Sequence, residues 1–356
     1  MFSSSPSSTL APPLPLPATA TADAYEGHTT AATSTGVIHP DIFRFNILTR
    51  LDGPTLASAS CVSSEFHALS NQGSLWADVC RSTWPSTDEP RLLEVISAFA
   101  GGHRSFFSDS YPIPALNTHK FAKTGAPPHE IISAVDIHHR GKLIFSRVVE
   151  TETVTGWFRW SPFRIDMLEP KDVVPTLVPY PGTDDECREL GNDLTLSWIM
   201  IDPNGQRAMN VSSRHPVSVS RHWLSGEVHA RFATVLAGER GSSSEFAQCG
   251  IVVTCGGTHG GELQVREVSL QVEDLDGMFL NGRDSLVILQ RALEGKRRRA
   301  AGGVDEGKGM YEEFRRMKME RKEKKLRAEG TLDMLCVAFV FKSLNLDNLD
   351  RIDSVY

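Results

Sequence analysis

No CxxC pair occurs among the six cysteines, which stand at 61, 80, 187, 249, 255 and 336 without a regular ladder. With no secretory signal ahead of them, that spacing argues against a zinc ribbon or a disulfide framework and leaves six reduced thiols. No GxSxG elbow, HExxH helix or GxxxxGK[ST] loop is present, so nucleophilic hydrolases, zinc hydrolases and P-loop enzymes lose their usual sequence support. Arginine is absent before Arg44, as it would not be in a transit peptide, and APPLPLP carries proline too often to be a signal-peptide core. A membrane span needs roughly 20 apolar residues. The longest candidate, LDMLCVAFVF, covers only 332–341 and reads as a strand or helix packed on the body, with an interfacial anchor as the alternative. The net charge of −7 lacks the basic surplus of a nucleic-acid binder.

What the chain does have is an apolar excess near its start. Residues 1–37 are rich in Ser, Pro, Thr and Ala, a composition that predicts a disordered tail. Its APPLPLP is a linker or, as polyproline II, a ligand for an SH3-like groove. From Ile38 to Cys80 the pattern changes. Ile42, Phe43, Phe45, Ile47, Leu48 and Leu51 spread well beyond the roughly 100° stripe that one packed helix face requires. Pro40 and Asp41 suit a helix start; Asp52 can cap a second helix with Pro54 in its first turn and Leu56, Ala59 and Val62 along one side. A third piece carries Phe66 and Leu69. Three helices in about 40 residues are marginal alone, which points to an obligate partner.

Pro40-Asp41, Ile42, Ile47-Leu48-x-x-Leu51, Leu56, Val62, Phe66 and Leu75-Trp76 stand in the order and spacing of an F-box, which this stretch resembles. His39, Ser63 and Phe66 replace the usual Leu, Cys and Trp and leave the apolar pattern usable. The resemblance implies a helical module that docks on a Skp-type adaptor, and through it on cullin and RING subunits of a ubiquitin ligase, while the rest of the chain recruits a target protein. It implies that Pro40, Asp41, Ile42, Ile47, Leu48, Leu51, Leu56, Val62, Phe66, Leu75 and Trp76 form the adaptor-binding set, with no catalytic residue, cofactor or metal. NILTRLDGPTLASASC, LWADVCRSTWPSTDEPRLLEVISAF, GGHRSFFSDSYP, SVSRHWLSGEV and NGRDSLVILQRAL further resemble the plant cytokinin-induced F-box group and its relatives. That likeness implies a part in cytokinin signalling; the expected location is the nucleus, the cytoplasm or both.

Beyond the F-box, Ser74–Trp84, Arg91–Phe99 and His103–Tyr111 read as helices closed by Pro112 and Pro114. From about 130 the period becomes two. Ile131, Ser133, Val135 and Ile137 form one face, and Leu194, Leu196, Trp198 and Met200 alternate with polar residues. Arg140-Gly141, Asp202-Pro203-Asn204-Gly205 and GGTHGG supply turns, giving about eight antiparallel strands. Arg283–Leu293 is helix or a last strand, and Tyr311–Ala328 a charged helix whose Tyr311, Phe314 and Met317 stripe lies on the surface. The expected fold is therefore α+β: an N-terminal helical F-box module, an antiparallel β-sandwich-like domain and a charged C-terminal helix. The expected boundaries are a tail at 1–37, the F-box at 38–80, a helical extension at 81–114, the β domain at 130–294, a basic linker and helix at 295–330, and a short apolar segment and tail at 331–356.

Residues 291–327 hold 14 Lys and Arg against 7 Asp and Glu. Within them Lys296, Arg297, Arg298 and Arg299, followed by Arg321, Lys322, Lys324 and Lys325, read as a two-part nuclear-import signal, an anionic-membrane patch or a solvated helix face. His138-His139 is the most metal-like pair, yet neighbours on a strand point to opposite faces. Trp157, Trp160 and Trp223 are expected in the core by alternation, or stacked on sugars if the sandwich is a carbohydrate- or ligand-binding protein with the helices as a structural cap.

Overall fold

The computed structural model describes residues 39–116, 127–238, 245–297 and 306–352, with backbone alone for 40, 306, 333 and 336–352. The chain opens with α1 (Pro40–Ile42), which winds on through a wide turn (Phe43–Ile47) and a tight one (Leu48–Arg50). Then come α2 (Gly53–Ala59) and α3 (Ser64–Ser70). Both start on a side-chain cap, as their sequence suggests: Asp52 accepts the Thr55 N–H at 3.0 Å and Ser63 that of Phe66 at 3.2 Å. α4 (Gly73–Thr83) turns Leu75, Trp76, Val79 and Cys80 inward, and a tight turn at Pro85–Asp88 leads to α5 (Pro90–Ala98) and α6 (Gly102–Ser110). An aromatic cluster binds these helices. Phe107 lies 5.4 Å from Trp76, 5.1 Å from Trp84 and 5.0 Å from Tyr111 by ring centroids. A side chain at Gly53 would run into the Phe107 ring, so α2 reaches α6 only because that position is glycine.

Ten strands follow among the described residues, in two antiparallel sheets. They are β1 (Glu130–His139), β2 (Lys142–Glu152), β3 (Arg164–Asp166), β4 (Val174–Pro179), β5 (Leu194–Asp202), β6 (Arg207–Asn210), β7 (Ser218–Arg221), β8 (Val228–Ala237), β9 (Phe246–Gly256) and β10 (Glu262–Asp274). One sheet runs β2-β1-β5-β6; the other runs β3-β10-β9-β8-β7, with β4 also paired to β10. The expected turns are in place. Arg140 and Gly141 both take positive φ, 49° and 74°, the paired geometry of a two-residue hairpin whose twist matches its strands. Three helices were less legible: α7 (Gly156–Trp160) and α8 (Asp184–Asp193) interrupt the strands, and α9 (Gly282–Glu294) settles the helix-or-strand choice. α8 has a sequence signal that alternation obscured, the Thr183 and Glu186 capping box.

The four-stranded sheet is apolar on both faces. Toward the second sheet it presents Ile131, Val135 and Ile137 of β1 with Leu194, Leu196, Trp198 and Met200 of β5. Toward the helices it presents Ile132, Ala134, Ile199, Ile201 and Ala208, which share one core with Trp76, Trp84, Ile96 and Phe106. The molecule is thus three layers: helices, a four-stranded sheet, and a six-stranded sheet. The last helix, α10 (Glu306–Ile352), also differs from its expected surface position. Phe314 is 0% exposed, packed with Val235 and Leu275, because its stripe meets the end of β8.

At the helix–sheet joint lies Asp136. Its carboxylate accepts the Ser86 N–H at 2.9 Å, the Ser86 hydroxyl at 2.5 Å and the Ser146 hydroxyl at 2.7 Å. Burial pushes its pKa above the ordinary 3.8, although the serine hydrogen bonds oppose the shift. Ionisation therefore opposes folding, so this group stabilises most at low pH and loses that contribution as pH rises from 3.8 to its raised folded value. Asp136→Asn, which keeps an acceptor for the Ser86 amide, should equal or exceed the wild type in stability at pH 7 and lose that advantage below about pH 4. Asp136→Ala should lose about 1–3 kcal/mol by stranding the amide. Chemical denaturation at several pH values checks both, and an Asn variant weaker at every pH would refute the account.

Candidate functional site

The apolar excess of the first helices divides cleanly between two directions. Leu48 and Leu56 turn inward at 1% and 0% exposure and join Leu75 and Trp76 in the shared core. Ile42, Phe45, Ile47 and Val62 stay outside at 47%, 60%, 42% and 71%. Leu51 and Phe66 are half-buried against the helical core, and Phe66 meets Phe43 edge-on at 5.3 Å. Asp41 is exposed beside the His39 ring, 3.4 Å away, and the side chain of Pro40 lies outside the described residues. The sequence-level set is therefore two sets: a supporting layer of Leu48, Leu56, Leu75 and Trp76, and an exposed apolar face. Phe45, counted in the excess but given no contact role, belongs to that face.

The basic tract comes apart. Arg297 is no free cation: its guanidinium donates to the carbonyls of Asp109, Ala292, Leu293, Gly295 and Ala208 at 2.6, 3.0, 3.1, 2.9 and 2.5 Å. All five N–H donors are used, and the last carbonyls of α9 gain the partner that helix ends lack. Burial lowers its pKa to about 10, with the Asp109 carboxylate working the other way, so it remains charged at pH 7. Lys296 is exposed, whereas Arg298 and Arg299 lie outside the described residues. Arg321 pairs with Asp276 at 2.8 Å; Lys322, Lys324 and Lys325 are exposed farther along α10.

Other expected positions also moved. Trp157, Trp160 and Trp223 are 83%, 69% and 87% exposed, because the first two ride on α7 and the third on the turn between β7 and β8, where strand alternation does not apply. His139 stands 3.8 Å from Asp193 while His138 interacts with Asp136, and among the described residues no group of three or more His, Cys, Asp or Glu is placed to hold a metal. The five described cysteines are unbridged, and burial pushes Cys80, Cys249 and Cys255 up to about 12. Among the described residues no helix is long and apolar enough to cross a membrane.

Residues 40–82, which carry the exposed apolar face, match the F-box-like family. The chain is 49% identical over 322 residues to Probable F-box protein At2g36090 of Arabidopsis thaliana, covering 90% of this chain and 94% of that one. The chain belongs to the F-box protein family. F-box protein At2g27310 of the same organism is 44% identical, with 86% of this chain and 93% of the relative covered; F-box protein At3g44326 is 44% identical, with 82% of each covered. No solved structure matches significantly. Proteins of this family generally serve as substrate receptors of Skp–cullin–F-box ligases and bind a Skp-type adaptor.

In this F-box protein Arg297 ties α6, β6 and α9 together. Arg297→Gln should lose about 3 kcal/mol, a drop of roughly 5 °C in Tm at this size. Arg297→Lys should recover little of it, since one ammonium cannot reproduce the planar fork. Thermal unfolding measures both, and a Lys variant melting with the wild type would contradict this role.

Proposed function

We propose that the chain is the substrate-recognition subunit of a Skp–cullin–F-box ubiquitin ligase: Ile42, Phe45, Ile47 and Val62, with the edge formed by Leu51 and Phe66, bind the adaptor, and the double sheet recruits a target protein for ubiquitination. The observation that carries this reading is the exposure of Ile42, Phe45, Ile47 and Val62 within the matched residues 40–82, on a module whose inward face is already satisfied. The chain itself performs no chemistry in this reading; it holds two proteins together. Leu48, Leu56, Leu75 and Trp76 act by shaping the module rather than by touching the adaptor.

The same reading puts the protein in the nucleus, the cytoplasm or both, with Lys322, Lys324 and Lys325 on the free part of α10 as the import residues. Replacing these three with Ala should lower the nuclear fraction of a fluorescent fusion; an unchanged distribution would leave them a solvated face.

Phe45→Glu with Ile47→Glu separates binding from folding. Placing carboxylates in an apolar interface costs several kcal/mol, and about 4 kcal/mol weakens association roughly a thousandfold. Because both positions are exposed in the free chain, its thermal transition should move little. Leu48→Glu should instead lower the transition itself. Adaptor co-purification beside circular dichroism reads the difference. A folded double variant that kept wild-type adaptor affinity would sink the proposal.

A further inference from the structure

The turn between β7 and β8 closes on a histidine ring. Its backbone is tied twice: the His222 N–H donates to the Glu227 carbonyl at 2.7 Å, and the Gly226 N–H to the His222 carbonyl at 2.9 Å. Gly226 takes φ 72°, a conformation that suits glycine, and its carbonyl accepts the Tyr180 hydroxyl from outside the turn. Inside the turn, the Ser225 N–H donates to Nδ1 of His222 at 3.1 Å. Trp223 and Leu224 form the tip, 87% and 73% exposed.

The Ser225 bond dictates the state of the ring. An amide can only donate, so Nδ1 has to keep its lone pair and the proton belongs on Nε2. A proton on Nδ1 would set one N–H against another. The acceptor left to it is Ser225 Oγ, 3.0 Å from Nδ1, which already accepts the Glu227 N–H at 3.3 Å and donates to the Glu227 carboxylate at 3.1 Å. Turning to that hydroxyl strands the Ser225 amide.

Charges around the ring come from three strands. Within the turn Glu227 favours a cation, while its other oxygen is held by Arg266 of β10 at 3.4 Å, which offsets that pull. His229 of β8 faces the ring with 6.2 Å between centroids, and it is linked through Thr254 of β9, at 3.5 Å, to Glu267 of β10, 3.2 Å farther on. Arg221 of β7 is turned away, donating to the Gly182 carbonyl at 2.6 Å. Below the histidine range both imidazoles carry charge, and like charges this close repel.

We propose that His222 is a proton-operated latch for this tip: neutral, it holds the Ser225 amide and presents Trp223 and Leu224 on a closed turn; protonated, it releases the amide and the turn loosens between two cationic rings. Histidine changes charge between pH 5 and 8, so the latch is shut at the upper limit and open at the lower. It acts whatever protein the double sheet recruits.

Hydrogen exchange at the Ser225 amide of the full chain, divided by the intrinsic rate at each pH, reads the latch. Protection should fall about fivefold from pH 8 to pH 5, the worth of one ordinary hydrogen bond. His222→Asn, whose side-chain oxygen stands where Nδ1 stands and does not titrate, should keep the protection at both limits; His222→Phe should lack it at both. A second reading is the emission of Trp223, whose ring lies 6.3 Å from that of His222. With Trp157→Phe and Trp160→Phe as background the other indoles are buried, and the emission should titrate with the midpoint of the amide. Equal protection at pH 5 and 8 would overturn the proposal. So would a pH dependence that survives in His222→Asn, which would assign it to Glu227 or His229, and so would Trp223 emission that changes only below pH 5, in the range of a carboxylate.

Discussion

β1 and β5 alternate, residue by residue, between two cores. Ile131 and Val135 face the second sheet while Ile132 and Ala134 face the helices; Trp198 and Met200 face the sheet while Ile199 and Ile201 face the helices. An antiparallel sheet commonly leaves one face to water. Here neither face can be left, because either would expose a row of large aliphatic side chains. The helical module and the sandwich consequently do not have separate interiors. Trp84 and Phe106 pack in the same cluster as Ile132 and Ile201, so loss of either layer would uncover the other. This also answers the size problem of the first helices, which are too few to stand alone: much of their support is the sheet behind them.

Apolar contact alone would not fix how the layers are set against each other. Polar joints do that. Asp136 receives three hydrogen bonds from Ser86 and Ser146, two of them across the helix–sheet boundary, and Arg297 gathers carbonyls from α6, β6 and α9. Neither joint is a strong source of net stability, since each carries the desolvation of a charge. Each is intolerant of misplacement, because a shifted layer would leave a buried amide, carbonyl or charge without a partner. The Arg207–Asp109 pair at 2.8 Å adds a third link between α6 and β6, on more exposed ground.

Local chemistry was legible in the sequence and long-range placement was not. Asp52 and Pro54, the Arg140-Gly141 hairpin, the Asp202-Gly205 turn and the inward face of α4 follow from residues a few positions apart, and the structure has each of them. The second buried face of β1 was hidden by Asp136, which looks like a solvent position until Ser86 is seen to donate two hydrogen bonds to it. Trp157 and Trp160 misled in the other direction: β-like composition implied burial, and a five-residue helix turned them outward. In the F-box the total of apolar residues was readable, but its division was not. Ile47 and Leu48 are adjacent and equally apolar, and only the sheet and α4 decide that the second goes in.

α9 joins the helical layer to the surface that α7 carries. Its C-terminal end is held by Arg297 to Asp109 of the helical layer and to Ala208 of β6, while its N-terminal end carries α7 and the exposed indoles. A helix of this length spans about 20 Å, so the α7 surface is set away from the helical joint by a rigid strut whose far end is anchored in the core through Leu286 and Leu289. Because Leu289 and Leu293 sit in the same cluster as Ile131 and Trp198, a disturbance at either end meets the middle sheet before it meets the other end. The three layers therefore favour a fixed spacing between the exposed apolar residues of the first helices and the rest of the body over relative motion of two hinged domains.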